Sequence, residues 1–496
     1  MPVKLREYVV TRGVSSTNKL GVYMHNVDAV VSAYTQRFFF IKVNGVYIEP
    51  PQPVQGEFTS AASMQFRREL LSLLPKRFPK MSLADTVQRF SGLKRRRYEG
   101  AYQSLLVTPL TKSDAVIKMF CKFSKVEIGD PARVISPRDA RWNLVMASRL
   151  KHLEKRIYKA LNRLFMSKTC ATVMKGQDVE QTARILRSKY DRFVDPIVVS
   201  LDMTKLDACT GLQHLRYQYS VYKAVYPGDS TFAWMLKTML KYVAVAYCPD
   251  GIVRLRTAAR KASGDVDTSL GNVINVLRVF YKIVQRLKIR IELANNGDDN
   301  LVFLERSDFS LLKTYLQLAF IEAGFILKIE GVYAEFEDII FCQHTPVLIG
   351  GVWRMVREVR TVISKDTMCL VHCPTEQLYR KWLAAVASAG MHLCDGVPVL
   401  ESFYRCLRRN GSTCTDRFFR HVMQRTHFVQ RATIRHETVT DEARVSFHAS
   451  SGLLPDEQLQ LEWFFDRFVI DKWQDEIIEQ NMLPQNQGWH LDILQN

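Results

Sequence analysis

Asn296-Gly297-Asp298-Asp299-Asn300 sets two adjacent carboxylates in a turn between two apolar runs, 289–293 and 301–304. A hairpin tip that aims two negative charges at one place is costly unless a cation meets them. Hard divalent ions such as magnesium take carboxylate oxygens. Upstream, Asp202 closes the apolar, β-branched run 196–201, and Asp207 follows five residues later. A carboxylate ending a buried strand reads as a ligand or as a turn or helix cap. If two strands deliver Asp202 and Asp298 to one point, they form a two-metal cradle of the kind that suits phosphoryl transfer. A third group is Ser263-Gly264-Asp265-Val266-Asp267-Thr268-Ser269-Leu270-Gly271-Asn272. Thr268 and Asn272 are four apart and share one helix face. Gly264 lets the backbone take positive φ and approach a ligand. A neutral Thr and Asn beside carboxylates can read sugar hydroxyls by hydrogen bonding. Singly, each group is also an ordinary turn or capped helix start. The ordered series Asp-x4-Asp, Ser-Gly-x3-Thr-x3-Asn, Gly-Asp-Asp is far more specific than any member.

The elements that must position these residues are legible. The run 196–201 predicts a buried strand, and 289–293 with 301–304 predicts a hairpin closed at the Asn-Gly turn. A helix is expected from Ser269 to about Leu287. Residues 37–48 read as strand-like, followed by a linker-like Glu49-Pro50-Pro51-Gln52-Pro53. Helices are expected to dominate 60–100 and 143–192, strands and helices to mix over 195–345, and helices to prevail beyond 365. The stretch 456–479 is amphipathic, with Leu459, Trp463, Phe464 and Phe468 expected on one side. It reads as a core helix or as an acidic lid.

In this arrangement the chain resembles the RNA-dependent RNA polymerases of positive-strand RNA viruses, within the tombusvirus-like and flavivirus-like group. The three groups correspond to that family's palm motifs A, B and C. Ser91-Gly92-Leu93-Lys94-Arg95-Arg96-Arg97-Tyr98 is similar to a fingers segment. Lys118 to Lys125 with Pro131-Ala132-Arg133-Val134-Ile135-Ser136-Pro137-Arg138 resembles the basic motif F. Gly324-Phe325-Ile326-Leu327-Lys328 resembles motif D, and Phe341-Cys342-Gln343-His344-Thr345-Pro346 resembles motif E. Ser124 stands where the family has an acid, and Asp265 and Asp267 make the motif B loop unusually acidic.

The resemblance implies an α+β right-hand fold of fingers, palm and thumb, with an antiparallel palm sheet carrying motifs A to E. The implied division is an N-terminal extension over 1–86 and fingers over 87–194. A palm with a fingers insertion follows over 195–350, then a thumb and acidic C-terminal segment over 351–496. The implied activity is template-directed RNA synthesis from ribonucleoside triphosphates. Asp202, Asp298 and Asp299 would hold magnesium or manganese. Asp207, Ser263, Gly264, Thr268 and Asn272 would bind the nucleotide and its ribose. Lys122, Arg133 and Arg138 would take the triphosphate, and Lys328 would protonate pyrophosphate. Lys328 reads equally as a solvated strand-end lysine. The expected partners are a viral RNA template and product, together with viral or host replication-complex proteins. The expected setting is the host cytoplasm, at membrane-associated complexes reached through a partner. Two alternatives stand beside this reading: a reverse transcriptase, and a non-catalytic RNA-binding protein on the same fold.

Composition agrees. Among 496 residues, 69 Lys and Arg against 50 Asp and Glu give +19, an excess that favours a polyanion or an anionic surface. Residues 451–496 hold nine acids against two bases, so the preceding body is more basic still. Basic clusters fall at 94–97, at 118–141 and at 405–435. The third includes Arg405, Arg409, Arg425, Arg431 and Arg435 among phenylalanines. The ten cysteines are mostly scattered, as in reduced proteins. Cys369-Leu-Val-His372-Cys373 is close-spaced but lacks a second pair to complete a zinc site. No apolar run reaches the eighteen or so residues of a membrane span, so no transmembrane segment is expected.

Overall fold

In the computed structural model, which describes residues 9–10, 20–127, 129–165, 171–367, 369–370, 375–423, 438–470 and 476–477, the predicted strand is Pro196–Met203. It lies inside a four-stranded antiparallel sheet in the order Ile291–Asn295, Asn300–Glu305, Pro196–Met203, Leu327–Tyr333. Side chains alternate between the sheet's faces. Val199, Leu201, Val302 and Leu304 point into the largest core, with the helices Thr268–Leu287 and Phe309–Glu322. Val198, Leu301 and Phe303 point the other way, into a smaller core with Ala183, Leu186 and Phe336. Both faces are therefore covered, which is why 196–201 reads as an apolar run broken only by Ser200. Phe280 and Phe320 lock the two helices edge to face, centroids 5.3 Å apart. The register does the positioning. Asn300 pairs with Leu201, and Lys328 pairs with Asp202. The end of the central strand and the 296–299 turn thus emerge at one edge of the sheet.

Two further cores flank this one. Ile117, Met119, Tyr242, Ala244 and Ala246 form the first with Ala29, Val30 and Tyr34. Its sheet runs Gly251–Ala258, Lys241–Cys248, Ile117–Lys118. The second gathers apolar residues from Val347 to Ile470 and is mainly helical. The architecture is mixed helix and sheet with antiparallel sheets, and no helix among the described residues is long and apolar enough to cross a membrane.

Three expectations need correction. Residues 37–48 are not one strand: a π-helical turn, Thr35–Phe39, precedes a short hairpin, Ile41–Val43 with Val46–Ile48. Asn44 and Gly45, both at positive φ, close it. The prolines at 50–53 are no linker. Val54 N–H donates to Glu322 O at 2.9 Å, and Gly324, at φ +79°, lies so close that an added Cβ would stand 2.8 Å from Pro53 N. In the helix Pro455–Arg467 the buried face is Gln458, Leu461 and Phe465. Of the expected stripe, Phe464 and Phe468 do pack, partly buried, against the helical core, whereas Leu459 and Trp463 are 48% and 60% exposed. The packing partner chooses the face: Phe403 of helix Leu400–Arg409 meets Phe465 at 5.3 Å, while Arg467 covers Trp463 at 4.4 Å.

The third basic cluster is partly structural, since Arg409 donates to the carbonyls of Phe465 and Phe468 and Arg405 pairs with Glu401. Arg425, Arg431 and Arg435 lie outside the described residues, as do His372 and Cys373. No group of three metal-ligating side chains forms a zinc cluster among the described residues.

Replacing Gly324 by Ala is expected to destabilise the protein by more than about 1 kcal/mol, because a left-handed backbone and a backbone contact are both violated. Denaturant unfolding measures this, and an unchanged midpoint would show that the 50–54 segment is only loosely attached.

Candidate active site

The 296–299 turn is rigid for local reasons. Asn296 N–H donates to Asp299 O at 2.9 Å. Asn300 Nδ2 donates to Asp298 O at 2.8 Å, and the Asn295 side chain bonds that of Asn300. Gly297 takes φ +93°, which a β-carbon would resist. The two aspartates are thus held on a fixed loop beside Asp202.

Eight of the residues singled out from sequence line one cavity of about 680 Å³: Asp202, Asp207, Asp298, Ser263, Thr268, Asn272, Lys122 and Arg133. Asp299 turns into an adjoining cavity of about 280 Å³, shared with Asp202 and Glu330. Asp202 therefore stands between the two. Burial, and then Glu330, Asp298 and Asp299, push its carboxyl up to about 6, with Lys328 opposing. Burial and the neighbouring Asp298 likewise raise Asp299. This crowding of hard oxygen donors fits a divalent cation. The carboxylates line shared space without closing into a cage: no three of them converge as ligands of one ion among the described residues.

Asp207 is half-buried and accepts from Asn272 Nδ2 at 3.1 Å, while desolvation raises its carboxyl. Asn272 lies on the helix Thr268–Leu287, and its Oδ1 is buried without a hydrogen-bond partner. Thr268 Oγ1 is spent on the carbonyls of Ala262 and Asp265, at 3.2 and 3.0 Å. Gly264, at φ +113°, packs against the 135–137 segment, where an added Cβ would stand 3.2 Å from Ile135. Its part is to let the loop approach that segment.

Two expected ligand residues are elsewhere. Arg138 is a correction. It is buried, binds Asp265 at 2.7 and 3.3 Å and Ala115 O at 2.7 Å, and does not line the cavity. Its guanidinium is consumed in tying the 134–138 segment to the 263–268 loop. Lys328 sits opposite Asp202 in the sheet register, but its side chain is 64% exposed and pairs with Glu330 at 3.2 Å.

The acidic character of the 263–268 loop now has a physical account. Asp265 answers Arg138, and Asp267 answers the buried Lys261 at 2.6 Å and Gln218 at 2.9 Å. Removing one partner of such a pair strands a buried charge, at a cost of about 3–5 kcal/mol.

Sequence reasoning missed several lining residues. Arg37 and Lys205 join Lys122 and Arg133 in the large cavity. Burial and then Arg133 lower Arg37, and burial and then Arg37 lower Lys205. These cations crowd one another as the acids do, which marks an anion site. Lys205 adopts the left-handed conformation at φ 48°. Its position between Asp202 and Asp207 was the available signal. Arg37 gave none, being 96 residues upstream of Arg133 in an unassigned segment. Lys151, Glu154 and Lys175 also face this space.

Comparison with known proteins adds an independent line. A family model described as viral RNA dependent RNA polymerase matches residues 2–473. A protein named RNA-directed RNA polymerase from Tobacco necrosis virus (strain A) is 32% identical over 479 residues, covering 95% of this chain and 65% of that protein. Proteins of the same name from Cucumber necrosis virus and Tomato bushy stunt virus (strain Cherry) are each 31% identical over 489 residues. Each alignment covers 96% of this chain and 58% of the relative. The chain thus spans less than two thirds of the length of these curated relatives.

Because Asp202 titrates near 6 in the folded protein and near 3.9 unfolded, the folded state binds the proton more tightly. Stability falls as pH rises through that window, and the whole penalty is present above it. Asp202→Asn removes the penalty. In chelator, its unfolding midpoint should exceed wild type by more at about pH 8 than at about pH 5. Equal gains at both pH values would contradict the crowding of Asp202.

Proposed function

The chain belongs to the viral RNA-dependent RNA polymerase family, and we propose that it copies an RNA template into RNA from ribonucleoside triphosphates. The carrying observation is one cavity that holds Asp202, Asp207 and Asp298 together with Lys122, Arg133, Arg37 and Lys205. Acids to gather divalent cations and bases to gather a triphosphate are the two needs of nucleotidyl transfer. On this reading the sheet and its two helices form the palm. The core around Tyr242 and Ala244 belongs to the fingers, and the helical core from Val347 to Ile470 is the thumb.

In the proposed reaction the RNA 3′-hydroxyl oxygen bonds to the α-phosphorus of the incoming nucleotide, and the bond to the pyrophosphate oxygen breaks. Asp202 and Asp298, with Asp299 beside them, are the residues that would hold magnesium or manganese. Such ions, when bound, lower the pKa of the attacking hydroxyl and offset charge on the leaving oxygens. The chain's own contribution is positioning. Lys122, Arg133, Arg37 and Lys205 orient the triphosphate through charge-assisted hydrogen bonds. Asn272, whose amide already donates to Asp207, presents its free carbonyl oxygen for a ribose hydroxyl to donate to. The 2′-hydroxyl is the group that separates RNA precursors from DNA precursors. Lys328 reaches the reaction as a proton donor only if its exposed side chain leaves Glu330. The partners on this reading are a viral RNA template and product, within a replication complex that other viral or host proteins complete.

Purified protein with a short RNA template, magnesium and ribonucleotides tests this directly. Asp298→Ala should reduce incorporation by at least about a thousandfold, as loss of a principal charge-stabilising group does, while RNA affinity stays within a few-fold of wild type. Incorporation of deoxyribonucleotides in preference to ribonucleotides, or synthesis undiminished by Asp298→Ala, would overturn the reading. A second measurement addresses sugar choice. Asp207→Ala should narrow the ribonucleotide over deoxyribonucleotide ratio of kcat/KM by roughly tenfold or more, the scale of one lost hydrogen-bonded contact. An unchanged ratio would remove Asp207 from ribose recognition.

A further inference from the structure

Lys175 has no part in the reading so far, yet it touches the turn that carries Asp298 and Asp299. Helix Ala140–Leu164 ends before residues 171–175 run alongside the hairpin. Asn162 Oδ1 accepts from the backbone N–H groups of Thr172 and Val173, at 2.9 and 2.8 Å. Asn295 N–H then donates to Thr172 O at 2.7 Å, and Met174 N–H donates to Asn295 O at 2.9 Å. Val173 pairs with Asn295 as a single parallel bridge. The segment is a splint on the free edge of the Ile291–Asn295 strand, and Gly176 at φ +83° turns the chain away directly after it. What the splint delivers is the Lys175 ammonium. Its Nζ donates to Asn296 O at 2.7 Å. It also lies so close that a β-carbon on Gly297 would stand 3.6 Å from it. Asp298, Asp299 and Glu154 are all within its electrostatic reach. On the other side, Asn296 Nδ2 bonds Cys342 Sγ at 3.0 Å. The peptide that starts the turn is therefore gripped from two sides, once by its carbonyl and once by its side chain.

We propose that Lys175 is a positioning residue for nucleotidyl transfer: by holding the Asn296 carbonyl it fixes the turn, and so sets where the Asp298 and Asp299 carboxylates stand. The proposal rests on the polymerase reading for its consequence in catalysis, and on the hydrogen-bond pattern alone for its consequence in the turn. A lysine pinned to a backbone carbonyl acts at short range, so its loss loosens the turn and leaves in place Lys122, Arg133, Arg37 and Lys205, the residues assigned to the triphosphate. Methionine matches the stem without the charge or donor. Arginine keeps both.

Two measurements on the full chain test it. In hydrogen–deuterium exchange, Lys175→Met should speed exchange of the peptide covering 295–300 by about tenfold, a local opening rather than global unfolding. The Thr268–Leu287 helix and the thermal midpoint should stay as in wild type. In primer- or template-directed synthesis, kcat should fall by roughly tenfold or more. KM for ribonucleotides and RNA affinity should remain within about twofold, the pattern of an interaction needed only in the transition state. Lys175→Arg should restore most of both readouts. If Lys175→Met does not accumulate as folded protein, Lys175→Gln carries the same comparison. Unchanged exchange over 295–300 overturns the proposal, as does a KM that rises while kcat holds. An arginine variant no better than methionine also overturns it. Wild-type protein that makes no RNA would instead defeat the polymerase reading, and the exchange data would still decide what Lys175 does to the turn.

Discussion

Like charges brought together away from water set the problem that this fold solves. Asp202, Asp298, Asp299 and Glu330 meet at one edge of a sheet that is covered on both faces. Burial, and then the charge of the neighbouring carboxylates, raises the free energy of ionising Asp202 and Asp299. No sequence places acids so by packing preference, and the cost is tolerated only because the surroundings leave them little freedom to separate. The Pro196–Met203 strand is laddered to neighbours on both sides, Asn300–Glu305 and Leu327–Tyr333, and a one-residue shift would exchange the side chains packed into its two cores. The 296–299 turn cannot open without breaking the Asn295, Asn296 and Asn300 hydrogen bonds. The strain of the site is carried by the largest hydrophobic core of the molecule.

The same cavity gathers positive charge by a different device. Lys122, Arg133, Arg37 and Lys205 line it together, and burial, with the charge of Arg133 on Arg37 and of Arg37 on Lys205, lowers the basicity of Arg37 and Lys205. Charged side chains that help to build the walls are treated otherwise. Arg138 with Asp265, and Lys261 with Asp267, are matched one to one and buried. One-to-one pairing marks charges that hold structure, and like charge facing like charge, as at Arg37, Arg133 and Lys205, suits an anion. That criterion separates Arg138 from Arg133, although the two lie five residues apart in one basic motif.

Much of this was legible in the sequence, and the reasons differ by residue. The strand at 196–201, the hairpin around 296–300 and the helix from 268 were readable because each depends on local periodicity and turn chemistry. Thr268, Asn272, Asp202 and Asp298 could be singled out because their order along the chain is specific. The roles of Arg138 and Asp265 were hidden, since a buried ion pair spanning 127 residues leaves no local trace. Arg37 was hidden because it reaches the cavity from a segment about a hundred residues before the other lining cations. The buried face of the Pro455–Arg467 helix was legible only in part: Phe464 and Phe468 pack as expected, but apolar residues lie all round this helix, and its neighbour Leu400–Arg409 selects Leu461 and Phe465 over Leu459 and Trp463. Pro50 to Pro53 look like a linker in composition, yet Gly324 offers them a surface that no other residue type could provide.

These cases share one cause. A short-range pattern specifies which element forms, whereas the division between structural and functional charge is decided by contacts far apart in sequence. In this molecule the decisive contacts bridge its early and middle segments. Residues 29–34 complete the core beside Tyr242, Ile41 and Phe66 enter the main core, and Arg37 reaches the cavity between them. The N-terminal stretch is therefore built into the walls of the site. It follows that the cationic side of the cavity is only as rigid as those contacts. On the proposed function a triphosphate would meet acids held by a sheet register and a splinted turn, and bases held by contacts between segments far apart in the chain.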